Sequence, residues 1–320
     1  MSDSRARKRV TIITPVYNEE ESLPMYIEHV CKTLLDVSGY DFTVLMIDDG
    51  SSDGSWEIIC HLCAEDSRFQ ALRLSRNFGS HTALSAGFLH ADGDAVCVLA
   101  CDLQDPPEVV LEFLERWKQG AKIVWGKRRT REDSAWRIFF SNLFFRLVRR
   151  YAMPKNSRFT TGSFLLADRQ VVECYRQFQE HNRITFALMA WTGFDQDCVE
   201  YDRKSRIAGK SKWDFYKMFK AMYDTFFGFS FAPIRIITVM GVVVSFFSFL
   251  QLVYLIVLWF TRQPVPGYTS SMITTLFLFG LQFLFLGIVG EYLFRIYAEA
   301  LRRPLFFISE RLNHDPENSD

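Results

Sequence analysis

The chain has 320 residues, 49% of them apolar, with 37 basic and 37 acidic side chains and a formal net charge of zero. That length allows about two domains. The balanced charge argues against a general nucleic-acid binder, which carries a basic excess.

The elements read in order as follows. The first ten residues, "MSDSRARKRV", lack the apolar stretch of a secretory signal. "VTIIT" reads as a strand and "EEESLPMYIEHVCKTLLD" as a helix, with acids in its first turn where the helix dipole favours them. "FTVLMI" is a second strand that runs into "DDGSSDG", and "SDGSWEIICHLCAED" is a helix capped by Ser or Asp. "ALRLS" is the third strand, "SHTALSAGFLHA" a helix and "DAVCVLA" the fourth strand. That strand ends in "CDLQDPP", where two prolines open the helix "PEVVLEFLERWKQG". "AKIVW" is the fifth strand, followed by "GKRRTRED".

Repeated strand–helix units predict a mostly parallel α/β sheet covered by helices on both faces. Ligands of such sheets sit beyond the carboxyl ends of the strands. "PVYNEE", "DDGSSDG", "SRNFG" and "ACDLQDPP" each follow a strand, so they are expected to line one crevice. No Gly-x-Gly-x-x-Gly follows the first strand and no Gly-Lys-Ser/Thr phosphate loop is present, which weakens the dinucleotide and P-loop readings. The seven Cys are scattered. "CHLC" at 60–63 has no second cysteine pair at zinc spacing and reads as the core face of a helix. His81 and His90 fall on a helical pattern and read as structural.

The last third differs. Residues 236–260 and 272–290 are uncharged and apolar, and roughly 20 such residues cross about 30 Å of hydrocarbon as a helix. Both are expected to be transmembrane helices. The flanks carry Lys210, Lys212, Lys217, Lys220 and Arg235 before, and Arg295, Arg302 and Arg303 after, while the connection holds a single Arg. The positive-inside rule then places both termini in the cytoplasm. Segments 134–153 and 213–231 mix aromatic with basic residues, as helices at the headgroup level do. The same aromatic surfaces would also suit a homo-oligomer. The expected domains are a catalytic domain at 1–232, a two-helix membrane domain at 233–298 and a cytoplasmic tail at 299–320.

Five motifs occur together and in order: PVYNEE at 15–20, DDGSSDG at 48–54, SRNFG at 75–79, DLQDPPE at 102–108 and RKSRIAGKSKW at 203–213. With the two C-terminal apolar segments, they make the chain resemble the polyisoprenyl-phosphate glycosyltransferases of family 2, which have the Rossmann-like GT-A fold. The resemblance covers nearly the whole chain. It implies a multi-pass protein of the cell membrane with its catalytic domain in the cytoplasm. The implied reaction is inverting transfer of a sugar from a nucleotide-sugar, UDP-glucose by analogy with two-span bacterial members, to polyprenyl phosphate.

Residue by residue, the resemblance puts Pro15, Tyr17, Glu19, Ile47, Asp48, Asp49 and Arg76 around the nucleotide. It makes Asp102 and Gln104 the ligands of a divalent cation, Mg2+ or Mn2+. Arg128, Arg131, Arg206, Ser211 and Lys212 would hold the acceptor phosphate, with Asp102 and Arg128 nearest the chemistry. The residue types suit these tasks. A hard cation bound with phosphate needs only one or two carboxylates, and Arg binds phosphate with two parallel hydrogen bonds. A phosphate monoester with a second pKa of ~6 is already an anionic nucleophile near neutrality and needs no strong base.

The chain departs from the family at two places. Ala100 stands where the first acid of an Asp-x-Asp pair is expected. Gly162-Ser163-Phe164-Leu165 replaces a common Gly-Asp-Phe-Arg. A non-catalytic membrane subunit is therefore the competing class. A processive polysaccharide synthase is disfavoured, since no Gln-x-x-Arg-Trp occurs.

Overall fold

The structure is a computed structural model, and it describes residues 7–129, 164–180, 183–203, 232–260 and 267–314. The chain divides into two compact units, Met1–Met222 with Pro304–Asp320, and Tyr223–Arg303.

In the first unit the expected alternation is present: β1 (Lys8–Val16), α1 (Leu23–Val30), β2 (Tyr40–Asp48), α2 (Ser55–Glu65), β3 (Phe69–Leu74), α3 (Ser80–His90), β4 (Ala95–Val98), α4 (Val109–Lys118) and β5 (Ile123–Arg128). The strands are apolar without alternation because they are covered on both faces. Ile12, Ile13, Val44, Leu45 and Met46 have no exposed surface. In α4, Val109, Val110, Phe113 and Leu114 are buried at helical spacing while Glu112, Glu115 and Arg116 are exposed. Cys63 of α2 is buried in the core, as the helical reading of "CHLC" requires.

Three further strands complete the sheet: β6 (Leu165–Asp168), β7 (Gln196–Tyr201) and β8 (Ile308–Leu312). Between β6 and β7 lie α5 (Arg169–Arg176) and α6 (Thr185–Trp191). The order is β7-β5-β6-β4-β1-β2-β3-β8. β6 runs antiparallel between β4 and β5, and β8 runs antiparallel to β3; the other pairings are parallel. The sheet is thus mostly parallel, and β1 to β5 with β7 all point their carboxyl ends to one edge.

β8 comes from the segment read as a tail. Its Glu310 pairs with Arg73 of β3 at 3.0 Å, Ser75 N donates to Phe307 O at 2.9 Å, and Asn313 Nδ2 donates to Phe69 O at 3.0 Å. These bonds satisfy an edge that would otherwise present unpaired backbone groups.

The second unit contains two helices, α7 (Ala232–Phe260) and α8 (Tyr268–Ala300). Among the described residues one helix is long and apolar enough to cross a membrane. It is Ser270–Ala300, with mean hydropathy 2.2 over its most apolar window and none of that window buried. The first expected span contains only a shorter apolar stretch, Ile237–Gln251, by the same measure. Segments 134–153 and 213–231 lie outside the described residues.

Candidate active site

The chain order β1-β2-β3 runs outward on one side of β1, while β4 lies on the other side. Between β1 and β4 the winding reverses, which is where an open α/β sheet leaves a crevice. The loop after β1 carries Tyr17 and Glu19, and the loop after β4 carries Asp102 and Gln104. The thiol of Cys101 reaches Pro15 O at 3.6 Å across this switch point.

The first two loops are tied together. Asn18 N donates to Ser51 Oγ at 2.9 Å, Ser52 N to Asn18 Oδ1 at 2.8 Å, Glu19 N to Ser55 Oγ at 2.9 Å and Gly54 N to Glu20 Oε2 at 3.0 Å. Asn18 itself sits at φ 52°, a left-handed conformation that Asn tolerates. Pro15, Tyr17 and Glu19 are half-buried. Glu19 also accepts from Ser22 Oγ at 2.7 Å. Ile47 is fully buried, so its side chain belongs to the core.

Asp48 is buried as well. It accepts from Ser51 N at 3.2 Å and lies 3.4 Å from Arg73 Nε, and burial pushes its carboxyl up despite these partners. Asp49, 3% exposed, accepts from Phe78 N at 2.7 Å and Gly79 N at 2.9 Å. It therefore pins the SRNFG loop onto the second loop. Arg76 of that loop is exposed and stacks on the Phe78 ring at 4.1 Å.

Burial raises the Asp49 carboxyl from its ordinary 3.8 to about 6, against the two amide donors. The folded chain thus keeps a proton that the unfolded chain releases. The associated stability is full below the unfolded value and is lost as pH rises through about 6. Its upper bound is about 3 kcal/mol. Asp49→Asn should therefore gain on the wild type between pH 4 and pH 7 in thermal unfolding of the full chain. Parallel pH curves for the two proteins would refute this.

The loop after β4 is shaped by Leu103, which is buried at φ 52°. A left-handed leucine costs about 1–2 kcal/mol, and such strain concentrates at functional sites. Around this turn Asp102 and Gln104 are half-buried, whereas Leu103 and Asp105 are buried. Gln104 N donates to Asp102 Oδ1 at 3.3 Å. Among the described residues no group of three or more His, Cys, Asp or Glu could form a metal cage. One carboxylate and one amide fit a divalent cation that shares its remaining positions with substrate phosphate and water.

Strand alternation sorts the basic cluster after β5. Lys127 and Arg129 pair with Glu200 at 2.6 Å and Asp202 at 3.1 Å on an exposed surface. Arg128 is the register partner of Tyr201 in the parallel β5–β7 pair. It is half-buried and interacts with the Tyr201 hydroxyl. That hydroxyl donates to Asp105 Oδ1, and Arg203 Nε lies 3.8 Å from the same oxygen. Asp105 is 2% exposed, and burial pushes its carboxyl up while Tyr201, Arg128 and Arg203 oppose the shift. Burial, then Arg128, draws the Arg203 guanidinium down.

Sequence reading counted Arg203 in a cationic cradle for phosphate and noted Asp105 only as near the metal ligands; it missed Tyr201 and the link among the three. The available signal was the Tyr-x-Arg spacing, which puts Tyr201 and Arg203 on one side of an extended chain. Arg131, Arg206, Ser211 and Lys212 lie outside the described residues.

Known proteins fit this picture. The SfII prophage-derived bactoprenol glucosyl transferase of Shigella flexneri is 35% identical over 311 residues, covering 96% of this chain and 100% of that one. An uncharacterized glycosyltransferase of Synechocystis is 36% identical over 309 residues, covering 94% and 95%. Among solved structures, glucosyl-3-phosphoglycerate synthase from Mycobacterium tuberculosis with Mn2+, UDP-glucose and phosphoglyceric acid is 16% identical. Its TM-score is 0.47 over 69% of this chain and 78% of that one, too distant to transfer any residue's role. Residues 11–176 match the family model Glycosyl transferase family 2. The chain belongs to glycosyl transferase family 2.

Proposed function

We propose that the protein transfers a sugar, glucose from UDP-glucose, to polyprenyl phosphate at the cytoplasmic face of the membrane, with inversion at the anomeric carbon. The observation that carries this reading is the convergence at the β1/β4 switch point of Asp102, Gln104 and the two tied loops. The end-to-end similarity to bactoprenol glucosyl transferases supports a lipid-phosphate acceptor. In this reading Pro15, Tyr17, Glu19, Asp49 and Arg76 surround the nucleotide, with fully buried Ile47 and Asp48 shaping the strand end beneath it. Asp102 and Gln104 hold Mg2+ or Mn2+, which neutralises charge on the departing diphosphate when bound.

The acceptor's phosphate oxygen attacks the anomeric carbon, the nucleoside diphosphate leaves, and a polyprenyl-phosphate sugar results. Arg128, with Arg131, Arg206, Ser211 and Lys212, positions the acceptor phosphate against its repulsion from the diphosphate. The two apolar helices of the second unit span the membrane, with both termini on the cytoplasmic side as the basic flanks require.

The test is direct. Full-length protein in detergent, given labelled UDP-glucose and undecaprenyl phosphate with Mg2+ or Mn2+, should form lipid-linked glucose, and chelation should cut the rate at least about tenfold. Product from a different nucleotide-sugar alone would reassign the donor. No lipid-linked sugar from any donor would leave a non-catalytic phosphate-binding subunit.

A further inference from the structure

Two arginines close to one another repel, and at strand ends they ordinarily splay apart. Here half-buried Arg128 and exposed Arg203 turn to the same acid. Arg128 ends β5 beside Tyr201, and Arg203 follows Tyr201 by two residues. Both guanidinium groups act on one buried carboxylate, Asp105.

The carboxylate is held rigidly. Pro106 and Pro107 follow it, so the backbone around Asp105 is restricted on its C-terminal side. Tyr201 is held equally firmly. Its ring meets Phe164 edge-on with centroids 5.5 Å apart, and Phe164 packs on Phe113 at 4.5 Å. Gly126 makes room for this wedge, because a Cβ there would lie 2.9 Å from Tyr201 Cε1 and 3.0 Å from Phe164 Cδ1. The Tyr201 hydroxyl donates to Asp105 and lies beside Arg128, so it joins these two groups.

One observation marks the cluster as unfinished. Arg128 Nε is buried with no hydrogen-bond acceptor among the described residues, and buried guanidinium donors are normally satisfied. The cluster gathers two guanidinium groups around one buried carboxylate, with Asp102 near enough to interact with Arg203 and Asp105. An added oxyanion would satisfy the free donor of Arg128.

We propose that Asp105 and Tyr201 are positioning residues that hold Arg128 and Arg203 together as a cradle for a phosphate oxyanion beside Asp102. This rests on the reading of the site as a phosphate-binding transferase centre. The oxyanion belongs either to the acceptor's monoester or to the nucleoside diphosphate, and separate binding measurements distinguish them.

The experiment uses full-length protein in detergent and calorimetric titration with two probes, farnesyl phosphate and UDP. Tyr201→Phe removes only the linking hydroxyl and keeps the ring wedge. It should weaken binding of one probe about tenfold while the chain stays folded at the assay temperature, the thermal midpoint falling because buried Asp105 loses a donor. Asp105→Asn should weaken the same probe further, and in turnover KM for the corresponding substrate should rise more than kcat falls. Loss confined to farnesyl phosphate assigns the cradle to the acceptor; loss confined to UDP assigns it to the donor. Should Asp105→Asn fail to fold, Tyr201→Phe carries the test alone. Wild-type binding of both probes by Tyr201→Phe overturns the positioning role but leaves the transferase reading standing. A wild-type chain that binds neither probe overturns both.

Discussion

Replacing Asp102 with alanine should lower kcat/KM by about a thousandfold, the upper range for removing one preorganised electrostatic group at a reacting centre. The size follows from the lack of a substitute. Ala100 offers no carboxylate where the family resemblance leads one to expect it. Asp105 is close in sequence but buried and engaged with Tyr201 and Arg203. The left-handed turn at Leu103 aims Asp102 away from the core that Leu103 and Asp105 enter. Asp102 is thus the half-buried acid of this turn that the proposed reaction assigns to the metal–diphosphate complex. Gln104→Ala, which removes a neutral ligand, should cost only about tenfold, since a water can replace an amide oxygen. Steady-state rates across a Mg2+ or Mn2+ series check both, with thermal midpoints as a control for folding. Retention of more than a tenth of wild-type kcat/KM by Asp102→Ala would refute the assignment.

The sequence made the first half of the sheet legible because each strand there is a short apolar run closed by polar turn residues. Those local signals located four of the loops at the carboxyl edge. β6 was not legible. "LLAD" is four buried residues without a period, and its antiparallel place between β4 and β5 depends on pairings with strands far off in the chain. β8 was hidden for the same reason. Its pattern is mostly polar because an edge strand is half-exposed, and its partner β3 lies more than 230 residues away.

Within the site, residue types were legible but directions were not. GKRR gives a basic cluster in any reading. Only the β5–β7 register shows that Lys127 and Arg129 are neutralised by Glu200 and Asp202 while Arg128 turns to Asp105. Asp49 likewise looked like an acid offered to a ligand, yet its two oxygens already receive amides from Phe78 and Gly79. Its first task is to join two loops.

That junction has a single most sensitive point, Gly50. Gly50→Ala should destabilise the protein by about 3–5 kcal/mol, a large fraction of the 5–15 kcal/mol typical of a folded domain. Two effects add. Gly50 has φ +69°, a conformation that alanine adopts at a cost of about 1–2 kcal/mol. An added Cβ would also lie 2.6 Å from Arg76 C, 2.8 Å from Arg76 Cα and 2.9 Å from Asn77 N. All three are backbone atoms, so no rotamer change relieves the overlap, and the SRNFG loop must move. Moving it breaks the amide bonds that Asp49 receives and leaves a buried carboxylate without its donors, worth about 1–3 kcal/mol more. Gly39→Ala is the matched control, with φ +90° and nothing within 4 Å of an added Cβ. It should show the conformational term alone. Thermal unfolding of the two variants beside the wild type separates strain from collision. If Gly50→Ala melts no lower than Gly39→Ala, the crossing of the two loops is not what fixes this corner of the site.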